Sequence, residues 1–167
     1  MRTLVAGFGN VLRGDDGFGI AVVHRLGEMR AWDERDVALM EIGTGGIRLA
    51  QELLAGYERL IIVDAMTRGG APGSVYVLEV DGVEAAQDVD LHLAIPARAL
   101  SVAKALGALP RRVFMVGCEP GEVDELSMEL TPPVQGAVDV AIRHIHELLG
   151  TEWPWHAVGG TQRMEQR

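Results

Sequence analysis

The sequence contains a single cysteine, Cys118, in 167 residues. One thiol excludes an internal disulfide framework and gives no sign of an oxidising compartment. Aromatic residues are scarce, at 5%, although 48% of the chain belongs to the hydrophobic set. A chain of this length buries roughly two thirds of its unfolded surface without a staple and fits one domain. No apolar run approaches the ~20 residues that cross a bilayer. Basic residues are also few: 15 Lys and Arg stand against 24 Asp and Glu, a net charge of −9, with no basic cluster. Nucleic acid and anionic membranes both require a positive footprint, so neither is an expected partner. Met1-Arg2-Thr3-Leu4-Val5 enters a structural pattern at once and leaves no room for a signal peptide. Neither a G-x-S-x-G elbow nor an H-E-x-x-H helix occurs, so serine hydrolysis and ordinary zinc proteolysis are not written here. These absences predict a soluble, acidic, cytoplasmic protein. One domain is expected over residues 1–150, followed by a polar tail over 151–167 that loses its periodicity and reads as mobile, with Trp153 and Trp155 as its only docking candidates. No apolar helix stripe is left over, so a monomer is expected.

What the chain does contain is an alternation of short apolar runs and helical patterns. Thr3–Gly7 is a first strand ended by glycine, and Phe18–Leu26 follows with Ile20, Val23 and Leu26 at helical spacing. Val37–Ile42 predicts a second strand and Ile47–Leu54 a second helix. Leu60-Ile61-Ile62-Val63 is the strongest strand signal; with no polar alternation it must be buried on both faces, as in a parallel sheet. Ser74–Val80 predicts another strand, reached through Gly69-Gly70-Ala71-Pro72-Gly73. Such a connection is too short for a helical crossover, so this strand is antiparallel or an edge piece. Val113–Val116 is a last buried strand. The closing helix carries Val134, Ala137, Val138, Ala141, Ile142, Ile145, Leu148 and Leu149 in one stripe, with Pro132-Pro133 at its start and Gly150 after it. The order β-α-β-α-β predicts an α/β fold, a three-layer αβα sandwich on a mostly parallel sheet.

Ligands of open α/β sheets gather at the carboxyl ends of the strands. After the first strand comes Gly7-Phe8-Gly9-Asn10-Val11-Leu12-Arg13-Gly14-Asp15-Asp16-Gly17-Phe18-Gly19; after the second, Glu41 and then Gly43-Thr44-Gly45-Gly46. The third runs into Asp64, a further loop holds Asp90-Leu91-His92, and the last buried strand leads to Cys118-Glu119. The first loop departs from a dinucleotide fingerprint, since Leu12 fills its third glycine position, and from a P-loop, since Asp15-Asp16 stand where Lys-Ser/Thr is needed. Carboxylates without basic partners suit a cation. Asp16 and Asp64 offer hard oxygens, and His92 a nitrogen suited to nickel, zinc or copper. Bland roles compete with this one: Asp16 as N-cap of the helix beginning at Gly17, Asp64 as a turn residue, His92 as a packed or surface side chain. Cys118 reads as a small core residue, and His144 and His146, two apart on a helix, point different ways. A phospho-receiver also places an acidic pair after its first strand and an aspartate after its third, as Asp15, Asp16 and Asp64 do. It needs a lysine after its last strand, where Cys118-Glu119-Pro120 stands here.

The first glycine-rich segment, Gly7 to Gly19, closely resembles the opening motif of the [NiFe]-hydrogenase maturation endopeptidases. The resemblance continues through Gly43-Thr44-Gly45-Gly46, Ile62-Val63-Asp64-Ala65, Asp90-Leu91-His92, Gly117-Cys118-Glu119-Pro120 and Leu130-Thr131-Pro132-Pro133-Val134, over roughly residues 1–150. It implies a five-stranded twisted sheet sandwiched by helices. It also implies an aspartyl-type endopeptidase that removes the C-terminal extension of a hydrogenase large-subunit precursor once nickel has been inserted. The family's three metal-binding positions fall on Asp16, Asp64 and His92; the first is often glutamate in relatives, and aspartate shortens its reach by one methylene. By the same resemblance the nickel belongs to the substrate, although other divalent metals could occupy the donors. The three residues would then orient the scissile bond by holding the substrate's metal, or Asp16 would serve as general base. Glu41 and Gly43, Thr44, Gly45 and Gly46 are candidates for precursor contact, with a plain structural turn as the equal alternative.

Overall fold

The structure, a computed structural model, describes residues 1–80 and 94–151. The tail from residue 152, with Trp153 and Trp155, and the Asp90-Leu91-His92 loop lie outside the described residues. Five strands, β1 (Thr3–Phe8), β2 (Val37–Gly43), β3 (Arg59–Ala65), β4 (Val75–Glu79) and β5 (Arg112–Cys118), form one sheet in the order β2-β1-β3-β5-β4. β1 runs parallel to β2 and β3, and β3 parallel to β5. β4 lies antiparallel on the edge, with Val75 opposite Cys118, as its short connection requires.

The apolar runs become central strands because both their faces are covered. Leu4, Ala6, Leu60, Ile62, Val113 and Met115 enter one core, while Val5, Ile61, Val63, Phe114 and Val116 enter the other. Successive side chains alternate between the two, following the two-residue period of a strand. Helices α2 (Ile47–Leu53) and α3 (Ala94–Ala105) close the first core; α1 (Phe18–Met29) and α4 (Pro132–Leu149) close the second. The predicted three-layer sandwich is therefore present, with its strongest strand signal, β3, at the centre of the sheet.

In α1 the buried face runs through Phe18, Val22, Val23 and Leu26, whereas Ile20 is only half-buried. The helix ends at Arg30 in the left-handed region, φ 46°. α4 keeps the predicted stripe, begins with its two prolines behind Thr131, and stops at Gly150, φ 70°. His146 is buried among these, its ring 4.6 Å from that of Trp32, and Thr151 Oγ1 lies 2.9 Å from its Nδ1. α3 has no counterpart in the sequence pattern. Its inner face is mostly alanine, Ala97, Ala99 and Ala103 around Leu100, so hydrophobic periodicity is faint there. Its Pro96 sits in the first turn, where a missing N–H costs little. Among the described residues, no helix is long and apolar enough to cross a membrane.

Candidate active site

β1 and β3 are neighbours, yet the chain leaves β1 for β2 on one side and reaches β3 on the other. The connections that leave their carboxyl ends therefore part at a topological switch point, where a crevice forms. Helix α1 lies close against these strands because Gly19 has no Cβ: one would fall 2.2 Å from the Val63 carbonyl oxygen. Gly9, at φ +127°, turns the chain out of β1, and a Cβ there would meet the Asp16 carbonyl at 1.8 Å. Only glycine lets the loop fold back this tightly.

That fold-back presents Asp16 at the crevice. Its Oδ2 accepts the Asn10 N–H at 3.1 Å, which fixes the carboxylate within its own loop. The N-cap of α1 is Gly17, with no side-chain cap, so Asp16 does not cap the helix. Asp64 stands at the end of β3, 6% exposed, and its Oδ1 accepts the Ala65 N–H at 2.8 Å. Both aspartates line one pocket of about 310 Å³, whose walls include Arg13, Gly43, Thr44 and Asp124. His92 lies outside the described residues. Among the described residues, no three His, Cys, Asp or Glu side chains form a metal-binding group. Asp16 and Asp64 thus contribute oxygen donors from two different strand ends.

Asp15, the next-door carboxylate, has a different task. It is fully buried, and its oxygens accept from Gly121 N–H (2.8 Å), Glu122 N–H (3.0 Å), Thr131 N–H (2.7 Å) and Thr131 Oγ1–H (2.8 Å). Burial pushes its pKa up, but these hydrogen bonds outweigh it and hold the group below the usual carboxylate range. Asp15 therefore stays ionised and clamps the 121–131 segment against the first loop. Glu119 does the same for the turn before β4: buried, it accepts from Arg68 N–H (2.7 Å), Gly69 N–H (3.2 Å) and Tyr76 O–H (2.9 Å). Here too the donors overcome the upward push of burial and lower the pKa.

The other expected residues divide. Gly43 and Thr44 line the pocket; Gly45 faces open space. Gly46 faces α3, where a Cβ would come within 3.1 Å of the Ile95 carbonyl oxygen, so it serves helix packing. Glu41 is exposed on edge strand β2 and sits 3.7 Å from His24 Nδ1, away from the pocket's lining. Cys118 is fully buried; burial and the nearby Asp15 charge raise its pKa to about 12, so it remains a thiol and no nucleophile. Sequence reasoning missed Arg13, whose Nε donates to the Val123 carbonyl at 3.1 Å and whose guanidinium lies 3.8 Å from Asp124. No spacing rule marks it, because its partners are more than a hundred residues away.

A profile of the hydrogenase maturation protease family matches residues 20–148. The chain belongs to this family. It is 36% identical over 144 residues to the hydrogenase expression/formation protein HupD of Rhodobacter capsulatus, covering 84% of this chain and 68% of that protein. The structure is similar to the hydrogenase maturating endopeptidase HybD of Escherichia coli, with TM-score 0.79, 31% identity, and coverage of 90% of this chain and 93% of that one. It is also similar to the [NiFe] hydrogenase maturation protease HybD of Thermococcus kodakarensis, with TM-score 0.76, 28% identity, and coverage of 89% and 99%. This hydrogenase maturation protease is accordingly a hydrolase of peptide bonds on a mostly parallel five-stranded α/β fold. The phospho-receiver and nucleotide-binding alternatives fall with that assignment.

Proposed function

We propose that this protease removes the C-terminal extension of a [NiFe]-hydrogenase large-subunit precursor after nickel insertion, reading the substrate's nickel through Asp16, Asp64 and His92. The observation that carries the reading is the arrival of Asp16 and Asp64 in one pocket at the switch point, from two separate strand ends. Two carboxylate oxygens suit a divalent ion, and an imidazole from His92 would add the softer donor that nickel accepts. The nickel arrives with the precursor and orients the chain that carries it. Tethering of that kind turns a loose encounter into a positioned one, which lowers the entropic part of the barrier.

Hydrolysis then joins a water oxygen to the scissile carbonyl carbon and breaks the C–N bond, the leaving amine gaining a proton. Asp16 is the group assigned to take the water proton. The Asn10 N–H fixes its orientation, and it opens on the pocket. A general base so placed contributes about 10²–10⁴ in rate. Gly43 and Thr44, in the same lining, offer main chain against which an extended peptide can lie.

The test is a cleavage assay on a large-subunit precursor with and without inserted nickel, read by mass spectrometry. Loss of a C-terminal peptide from the nickel-loaded form alone is expected. Equal cleavage of both forms would discard the nickel-reading role, and cleavage of neither by folded enzyme would discard the substrate.

A further inference from the structure

Beside the pocket the protein displays apolar side chains that peptide hydrolysis does not use. The first loop and the 121–131 segment run alongside one another. Gly14 N–H donates to the Ser127 carbonyl at 2.8 Å and Ser127 N–H to the Leu12 carbonyl at 3.0 Å, with Arg13 and Ser127 paired as an isolated parallel bridge. Asp15 fastens both ends of the segment through Gly121, Glu122 and Thr131. This is a held ribbon. Its side chains nonetheless face water: Leu12 is 52% exposed, Leu126 87% and Met128 77%. One exposed leucine is ordinary, but three large apolar groups on a fixed ribbon mark an interaction surface.

Two further observations say what covers it. Asp124 and Glu125 precede Leu126 and Glu129 follows Met128, all three exposed; Arg13 lies 3.8 Å from Asp124 and leaves Glu125 and Glu129 as the outer charges, and no Lys or Arg occurs between Arg112 and Arg143. The ribbon is also continuous with the pocket, since Arg13, Val123 and Asp124 form part of the pocket wall. A chain bound in the pocket therefore lies beside it. Apolar side chains flanked by acidic ones complement a segment in which apolar residues are flanked by Lys or Arg.

We propose that this ribbon is the docking surface for the large-subunit precursor, and that it receives a basic-and-apolar segment of that protein beside the scissile chain. The inference rests on the substrate reading given above. Leu126 and Met128 supply apolar anchors, Glu125 and Glu129 select the charge, and Asp15 keeps the ribbon in register with Asp16.

The experiment measures steady-state cleavage of nickel-loaded large-subunit precursor from the same organism. It uses the wild type, a Leu126→Ser/Met128→Ser variant and a Glu125→Lys/Glu129→Lys variant. All four side chains are exposed, so thermal unfolding should be unchanged in both variants. KM should rise about tenfold or more in each, with kcat within about twofold. Wild-type KM should also rise with salt, and that of the charge-reversed variant should not. Unchanged KM in both variants would overturn the proposal. So would a fall in kcat at constant KM, which would make the ribbon mere support for the site. With KM unchanged, a wild-type dimer that the apolar variant dissolves would assign the surface to a second copy. Likewise, a fall in KM on truncation after Thr151 that neither variant shares would assign it to the chain's own tail. If the wild type cleaves nothing, the substrate reading fails separately. Calorimetric binding of the same precursor then decides docking: weaker binding by the variants sustains it, and equal binding removes it.

Discussion

Asp15→Asn keeps the shape of a side chain on which four donors converge and removes its charge. In the better of its two orientations the amide oxygen replaces Oδ2 and keeps Gly121, Glu122 and the Thr131 hydroxyl. The amide nitrogen then replaces Oδ1 and faces the Thr131 N–H, previously 2.7 Å from an acceptor, donor against donor. Hydrogen bonds to an ionised acceptor contribute roughly 1.5–3 kcal/mol and neutral ones about 0.5–1.5, while a buried unsatisfied donor costs about 1–3 kcal/mol. Three bonds weakened by about 1–1.5 kcal/mol each and one unsatisfied donor come to about 4–7 kcal/mol. Relief of the buried charge offsets part of this, leaving a net loss of about 3–5 kcal/mol. For a chain of this length each kcal/mol lowers the melting temperature by about 2–4 °C, so a fall of roughly 6–20 °C is expected.

Urea and thermal unfolding followed by circular dichroism measure the difference, and pH supplies an internal control. The folded pKa of Asp15 lies below its ordinary 3.8. A lowered carboxylate contributes stability that is fully present above the unfolded value and lost as pH falls through the folded one. The gap between wild type and Asp15→Asn should therefore be constant from neutral pH to about pH 5 and should narrow below about pH 4. A loss under about 1 kcal/mol at pH 7, or a gap indifferent to acid, would refute the idea that this carboxylate holds the 121–131 segment.

Asp16→Asn keeps an acceptor for the Asn10 N–H but no base, so cleavage of nickel-loaded precursor should fall about 100-fold or more while the melting temperature stays within a few degrees. His92→Ala should likewise leave the far-ultraviolet spectrum intact and abolish processing; normal processing would remove His92 from the mechanism. Cys118→Ser should cleave at the wild-type rate, since a thiol with pKa near 12 takes no part, and lose about 1 kcal/mol, because the buried hydroxyl inherits the thiol's acceptor, the Glu119 carbonyl, among otherwise apolar neighbours. Burial lowers the pKa of His146, so its contribution should be fully present above about pH 6.5 and decline as pH falls through the lower folded value. His146→Phe should flatten that part of the unfolding profile.

The sheet was legible in sequence because its physics is local: a β-branched run with no polar alternation has one stable home, a strand covered on both faces. That rule locates β3 and β5, and the brevity of the preceding connection turns β4 antiparallel. α3 escaped because its buried stripe is alanine, which hydrophobic periodicity weighs lightly, and because Pro96 reads as a breaker away from a first turn. Within the candidate site, strand ends could be read off directly, which is why the expectation named Asp16, Asp64, Gly43 and Thr44, four residues that line one pocket. Arg13 and the division of labour between Asp15 and Asp16 could not, because each is decided by partners beyond residue 120. Adjacent carboxylates in one motif look equivalent on paper. In the fold, one is buried under four donors and holds the 121–131 segment in place, while the other opens on the pocket. Specialisation of this kind follows from desolvation and donor count. It is a property of the assembled loops, and it sets a rigid mount one residue away from a carboxylate that lines the pocket.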